Sequence, residues 1–112
     1  KQEIEDILDY KKALEYIKSK PEESLKILLE RYSAEENNGT ILYYIAVAYR
    51  NLGLNEKAIY YLNEALAIDN SFIDVVNELG INYAALGDYD QAIEYLRQVL
   101  KQSKKLVIKE EN

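Results

Sequence analysis

Residues 78–100, ELGINYAALGDYDQAIEYLRQVL, are the most informative part of the sequence, because their pattern already occurs earlier in the chain as YIAVAYRNLGLNEKAIYYLNEAL, residues 44–66. Eight residue pairs are identical at this offset: Tyr49 and Tyr83, Leu52 and Leu86, Gly53 and Gly87, Ala58 and Ala92, Ile59 and Ile93, Tyr61 and Tyr95, Leu62 and Leu96, and Leu66 and Leu100. We call the offset from Tyr49 to Tyr83 one repeat length; a second backward shift by it aligns Leu25 with Ile59 and Leu28 with Leu62. A repeat of this length, built from paired helices, is typical of a helical solenoid, in which each unit buries its apolar face on its neighbour.

Short breakers divide the chain into segments whose apolar residues recur at the three- and four-residue spacing of a helix. Gly53 and Gly87 have the positions of helix C-terminal caps. Turns are indicated by Ser19-Lys20-Pro21, by Asn37-Asn38-Gly39 and by Asp69-Asn70-Ser71. We therefore predict six helices of roughly 11 to 16 residues and no strand.

Composition excludes several kinds of chemistry. The 112 residues carry a net charge of −6, which disfavours nucleic acids and anionic membrane surfaces as partners. There is no Cys and no His, so thiol nucleophiles, imidazole bases and the usual zinc ligands are missing. No apolar stretch is long enough to insert into a membrane. We therefore expect no catalytic site, metal or cofactor. Because residue 1 is Lys and not Met, we expect a mature or excised piece of a protein. The cytoplasm is the default location, although a periplasmic or extracellular location fits equally.

The segment Leu79-Gly80-x-x-Tyr83-x-x-x-Gly87-Asp88-Tyr89-x-x-Ala92-x-x-x-Leu96 resembles a tetratricopeptide repeat (TPR). The second copy is Ile45-Ala46-x-x-Tyr49-x-x-x-Gly53, followed by Ala58, Leu62 and Ala65, with Asn70 where the family usually has Pro. The resemblance implies an all-α, right-handed α-solenoid of three repeats, at about residues 5–38, 39–72 and 73–106, plus a C-terminal capping segment, 107–112. The first repeat is degenerate, because Lys11, Lys12 and Glu15 replace core residues.

In TPR proteins the first helix of each repeat lines a concave groove that receives a peptide or a partner helix, and here the resemblance implies a non-enzymatic protein-interaction module. The implied groove residues are Asp6, Asp9 and Ala13 from the first repeat, Thr40, Tyr43, Val47, Arg50 and Asn51 from the second, and Asp74, Asn77, Glu78 and Ile81 from the third. Such a surface suits a protein or peptide with basic and apolar anchor residues. The alternative for each residue is a merely solvated helix face.

Some TPR domains clamp the C-terminal carboxylate of heat-shock chaperones with Lys, Asn and Arg. Asp9, Asp74 and Glu78 stand where such a clamp needs positive or neutral groups, and Arg50 is the basic residue that remains. We therefore predict that this groove is not a carboxylate clamp.

Other functions remain open at this point. One is an assembly scaffold that self-associates through its repeat ends or convex face, and another is a regulatory fragment of a larger protein. The apolar triplet Leu106-Val107-Ile108 is expected to cap the last repeat, with a further helix or a stacking edge between copies as alternatives. The 11 tyrosines either replace Phe and Trp in packing, the favoured interpretation, or form an aromatic contact strip.

Overall fold

The computed structural model describes the backbone of residues 2–111 and the side chains of residues 3–105. Its six helices are α1 (Gln2–Tyr16), α2 (Pro21–Ala34), α3 (Gly39–Asn51), α4 (Asn55–Ile68), α5 (Ile73–Ala85) and α6 (Tyr89–Glu111). The described backbone contains no strand, which confirms the all-α prediction. Each helix packs against the next one along the chain, and α3 also reaches α5. The result is a stack of three helical hairpins measuring 46 × 37 × 25 Å.

The helices recur with the period found in the sequence. The second helices of the hairpins begin at Pro21, Asn55 and Tyr89, each one repeat length after the last, and α3 and α5 begin at Gly39 and Ile73 with the same spacing. Identical sequence positions therefore occupy equivalent places in successive hairpins. The rings of Tyr49 and Tyr61 stack with centroids 5.5 Å apart. In the last hairpin the equivalent Tyr83 and Tyr95 stack with centroids 5.7 Å apart.

Local residues end and begin these helices as the breakers predict. Gly53 and Gly87 have φ angles of 77° and 81°, a left-handed conformation that glycine adopts without steric cost. Leu54 N then donates to the carbonyl oxygen of Tyr49 over 2.9 Å, which closes the end of α3. At the start of α3 the side chain of Asn38 accepts a hydrogen bond of 3.1 Å from the backbone N–H of Ile41.

The core lies around α3, which is covered on both sides by other helices. Ile41, Leu42 and Ile45 are buried there, together with Leu62 of α4 and Leu79 of α5. Burial of side chains of this size contributes about 1.5–3 kcal/mol each. The apolar stripes of the central helices therefore hold the stack together.

The two ends of the stack differ from the sequence expectation. Leu96 has the repeat position of the buried Leu62, yet it is partly exposed, and Leu100 is exposed, because no later helix covers α6 within the described chain. At the other end, Ile4, Ile7 and Leu8 of α1 are also exposed.

The C-terminal helix α6 has 23 residues, longer than predicted, because no Gly or Pro follows Gly87 to end it. The backbone of residues 106–111 continues α6, so the tail is not a separate helix. The side chains of Leu106, Val107 and Ile108 lie outside the described residues, and capping by them stays a prediction. Among residues 2–111, no helix has both the length and the apolar character that a membrane crossing requires.

Candidate protein-binding groove

Two helices supply most of the predicted groove. On α3, the three- and four-residue spacing from Thr40 to Tyr43, Val47 and Arg50 places these side chains along one face. The corresponding face of α5 carries Asp74, Asn77 and Ile81. Thr40, Asp74 and Ile81 are exposed; Tyr43, Arg50, Asn51 and Asn77 are half-buried; and Val47 is buried.

An ion pair between Arg50 and Glu78 joins the two helices. Arg50 Nε donates to Glu78 Oε2 over 2.7 Å, and Arg50 Nη2 donates to Glu78 Oε1 over 3.0 Å. Glu78 is 5% exposed, so its charge is neutralised inside the protein instead of being offered to a partner. The expectation of Glu78 as an open acidic groove residue is therefore wrong. The reason is that α3 brings Arg50 into bidentate contact with it.

The ion pair belongs to a longer polar network between repeats. Asn82 Nδ2 donates to the carbonyl oxygen of Glu78 over 2.8 Å and approaches Glu78 Oε2 at 3.4 Å. Asn55 Nδ2, at the start of α4, donates to Asn82 Oδ1 over 3.0 Å. Side chains of α3, α4 and α5 are thus tied together. Because a satisfied buried network favours one arrangement of its members, we infer that it helps to set the angle between the second and third hairpins.

Aromatic rings form a row across the edge of the same surface. Tyr43 lies 5.6 Å from Phe72 and 5.1 Å from Tyr44, and Tyr44 lies 6.3 Å from Tyr10 of α1, measured between ring centroids. The sequence analysis did not assign Phe72 or Tyr10 to the groove. The position of Phe72, the one Phe of the chain, directly before α5 was the available signal.

The hydroxyl of Tyr43 is influenced by burial and by charged groups of both α3 and α5. Burial raises the pKa of its hydroxyl, and the nearby carboxylates of Glu78 and Asp74 raise it further, while Arg50 lowers it. The hydroxyl therefore stays protonated at neutral pH and can donate a hydrogen bond. A half-buried ring with a polar tip is a common anchor in protein interfaces.

The first repeat contributes less than the resemblance implies. Ala13 is fully buried, and its carbonyl oxygen accepts a hydrogen bond of 2.6 Å from Ser24 Oγ, so Ala13 belongs to the core and its assignment to the groove is wrong. Asp9 is exposed and, with Asp6, lines a cleft of about 170 Å³ between α1 and α2. Asn51 Nδ2 donates to the carbonyl oxygen of Ile17 over 2.7 Å, which links the first and second repeats.

Carboxylates are numerous, but no three of them converge in a way that could hold a metal ion among the residues described.

Comparison with known proteins gives matches to one kind of repeat. Two family models, each described as tetratricopeptide repeat, match residues 21–71 and 52–106. The TPR repeat-containing protein YpiA of Bacillus subtilis (strain 168) is 33% identical over 78 residues, which are 70% of this chain and 18% of that protein. The chain therefore spans less than a fifth of the curated relative it matches.

Solved structures share the fold at low sequence identity. The second TPR of Spaghetti (RPAP3), bound to the HSP90 peptide SRMEEVD, is 21% identical with a TM-score of 0.77, covering 85% of this chain and 89% of that one. A MamA double mutant is 20% identical with a TM-score of 0.81, covering 90% of this chain and 57% of that one. With the internal period and the helical hairpins, the two family-model matches place the chain in the tetratricopeptide repeat family.

Proposed function

We propose that this chain is a non-enzymatic protein-interaction module that binds a peptide or helix of a partner protein in the groove formed by α3 and α5. The observation that carries the proposal is the shared face of Tyr43 and Arg50 on α3, which the Arg50–Glu78 ion pair joins to α5 beside the row of aromatic rings. The exposed side chain of Ile81 adds an apolar contact. A rigid surface of this kind needs little ordering when a partner binds.

The charge of the groove favours a basic partner. Arg50 is already paired with Glu78, so their charges offset each other, and the exposed carboxylate of Asp74 sets the local sign. Asp9 and Asp6 extend the negative surface at the first repeat. We propose that the partner carries Lys or Arg beside one or two apolar anchors, because complementary charge raises the association rate and selects against acidic peptides.

The HSP90 peptide of the similar TPR structure is acidic, with the sequence SRMEEVD. That complex supports peptide binding as a use of this fold. In this chain, however, the cation that could meet such a peptide is committed to Glu78. We therefore propose that an acidic C-terminus is not the ligand, and SRMEEVD becomes a matched negative probe.

Fluorescence polarisation with two labelled peptides tests this proposal. The first is an amphipathic helical peptide with Lys and Arg on one face and Leu on the other, and the second is SRMEEVD. We expect binding of the basic peptide only, a loss of about tenfold or more in Tyr43→Ala, and a smaller loss with reduced salt dependence in Asp74→Asn. The control is Tyr60→Ala, which removes an exposed ring from α4. Equal affinity for the acidic peptide, or equal loss in the control, would contradict the proposal.

A pull-down from native extract extends the test to the natural partner. The wild type is compared with the double variant Tyr43→Ala and Asn77→Ala after circular dichroism has confirmed that both are folded. A protein retained by the wild type and lost by the variant supports groove recognition. If the wild type and the variant retain the same protein, that protein binds outside the groove, at the convex face or the repeat ends.

A further inference from the structure

Both ends of the stack expose Ile and Leu side chains, at one end on α1 and at the other on α6. On α1, Ile4, Ile7 and Leu8 are 63%, 56% and 59% exposed. On α6, Ile93 and Leu100 are 51% and 63% exposed. We call the first set, with the acidic residues around it, the α1 end face, and the second set, with Leu96 and the neighbouring basic residues, the α6 end face.

The internal repeat shows what these positions do elsewhere in the chain. Shifted by one repeat length, Ile7 and Leu8 correspond to Ile41 and Leu42, which are 1% and 0% exposed where α3 packs between its neighbours. A further shift leads to residues 75 and 76 of α5, both valines and both buried. At these two positions the α1 end face thus matches a helix that packs in the middle of the stack, whereas Lys11, Lys12 and Glu15 stand where α3 has buried residues.

The same comparison applies to α6. Ile93, Leu96 and Leu100 correspond to Ile59, Leu62 and Leu66 of α4, a helix that α5 covers. In α4, Ile59 and Leu66 are half-buried, and Leu62 is fully buried. The α6 end face therefore carries the residues with which a second helix of this stack meets the following repeat.

Charges on the two end faces are complementary if the contact has the geometry of α4 and α5. Those helices are joined by the short turn 69–72, so they run antiparallel. The same arrangement between α6 and α1 would place the C-terminal part of α6 against the N-terminal part of α1. The former carries Arg97, Lys101, Lys104 and Lys105, whereas the latter carries Glu3 and Glu5.

The opposite halves of the two helices show the same complementarity with the signs exchanged. Asp90 and Glu94 lie in the N-terminal part of α6, and Lys11 and Lys12 lie in the C-terminal part of α1. Helical spacing places Arg97 and Lys101 next to Ile93, so the charges border the apolar stripe. In this antiparallel register the apolar residues lie in the contact, and charges of opposite sign lie at its rim, because their α4 counterparts Asn63, Ala67 and Tyr60 are exposed.

We propose that copies of this chain associate head to tail, with the α6 end face of one copy packed on the α1 end face of the next. Such a contact joins two different surfaces, so a dimer still has one free α1 end face and one free α6 end face. Further copies can therefore add at both ends. Lys11 and Lys12 replace the Ile and Ala of α3, which makes the contact weaker than those inside the stack. The contact does not use the α3–α5 groove, so it stands or falls separately from peptide binding.

Sedimentation velocity over about 10 µM to 1 mM tests the proposal. One variant, Ile7→Glu with Leu8→Glu, blocks the α1 end face. The other, Ile93→Glu with Leu100→Glu, blocks the α6 end face and leaves Leu96 in place against Gly80. We expect the wild type to gain mass with concentration and each variant to remain a monomer. An equimolar mixture of the two variants should form a heterodimer and stop there, because only one complementary pair of faces is intact.

Control variants separate this contact from the α4 surface, from the groove and from loss of folding. Tyr60→Glu changes an exposed ring on α4 and should assemble like the wild type, as should the groove variant Tyr43→Ala. Circular dichroism checks folding, and if the α1 variant unfolds, charge reversal by Lys101→Glu and Lys104→Glu on exposed side chains should abolish assembly instead.

Three results would overturn the proposal. A wild type that stays monomeric at every concentration would leave the end faces to flanking repeats of a longer chain. Self-association of a singly blocked variant would show a symmetric contact. A mixture of the two blocked variants that stays monomeric, although the wild type assembles, would show that other surfaces make the contact.

Discussion

Replacement of Arg50 by Met should destabilise the protein more than replacement of Glu78 by Gln, although each breaks the same ion pair. Arg50→Met leaves a carboxylate with 7% side-chain exposure and only the 3.4 Å approach of Asn82 Nδ2 as side-chain compensation. Glu78→Gln keeps the shape and one acceptor, and it leaves a guanidinium that is 30% exposed and can reach water. The asymmetry follows from the different burial of the two partners.

The magnitudes follow from the two charge-assisted hydrogen bonds, 2.7 and 3.0 Å long. Removal of one partner of a buried pair costs about 3–5 kcal/mol, and the partial exposure of Arg50 places this variant near the lower limit, at about 3 kcal/mol. Glu78→Gln should cost about 1.5 kcal/mol. The double variant has no uncompensated charge, so it should lose about 3 kcal/mol, less than the sum of the single losses, with a coupling of about 1.5 kcal/mol.

Urea denaturation followed by circular dichroism measures all four free energies of unfolding in one double-mutant cycle. The denaturant slope should remain unchanged, which shows that the same surface unfolds in each variant. Losses that add within about 0.5 kcal/mol would refute the idea that this pair couples α3 to α5. A loss below about 1 kcal/mol for Arg50→Met would show that Glu78 reaches water in solution.

Three further predictions concern packing, a buried hydrogen bond and pH. A Cβ at Gly80 would lie 2.7 Å from Leu96 Cγ, so Gly80→Ala should lower the free energy of unfolding by about 1 kcal/mol despite its better helix propensity. In a Leu96→Ala background the same change should become stabilising, as measured by urea denaturation; a loss in both backgrounds would contradict the packing argument. Ser24→Ala removes the 2.6 Å hydrogen bond to the carbonyl oxygen of Ala13 and should cost about 1–2 kcal/mol, seen as a lower urea midpoint, whereas an unchanged midpoint would mean that the bond adds nothing. Burial raises the pKa of the Tyr43 hydroxyl, so the unfolded state loses this proton first as pH rises, and stability should fall above about pH 10. In Tyr43→Phe, the free energy of unfolding from denaturation curves should fall less between about pH 9 and 11, roughly one unit either side of the ordinary tyrosine pKa. The same pH dependence in the wild type and in Tyr43→Phe would show that other groups cause the fall.

The groove was only partly predictable from the sequence. The helical spacing of Tyr43 and Arg50 was enough to place them on one face of α3, because that periodicity is a property of a single helix. The pairing of Arg50 with Glu78 could not be read in the same way, because it depends on how α3 and α5 are rotated relative to each other. A residue predicted to be an open charge thus became a buried structural link.

The helical hairpins and their period are readable from the sequence alone, because caps, turns and apolar spacing act within a few residues. Gly53 and Gly87 end their helices as predicted, and the helices recur at the repeat length that the sequence shows. Which apolar residues become core, in contrast, depends on how the helices pack. Leu62 and Leu96 occupy identical repeat positions, yet the first is fully buried and the second is 36% exposed. The difference arises because burial depends on a neighbouring helix: α5 covers α4, whereas no helix of the described chain covers the outer face of α6.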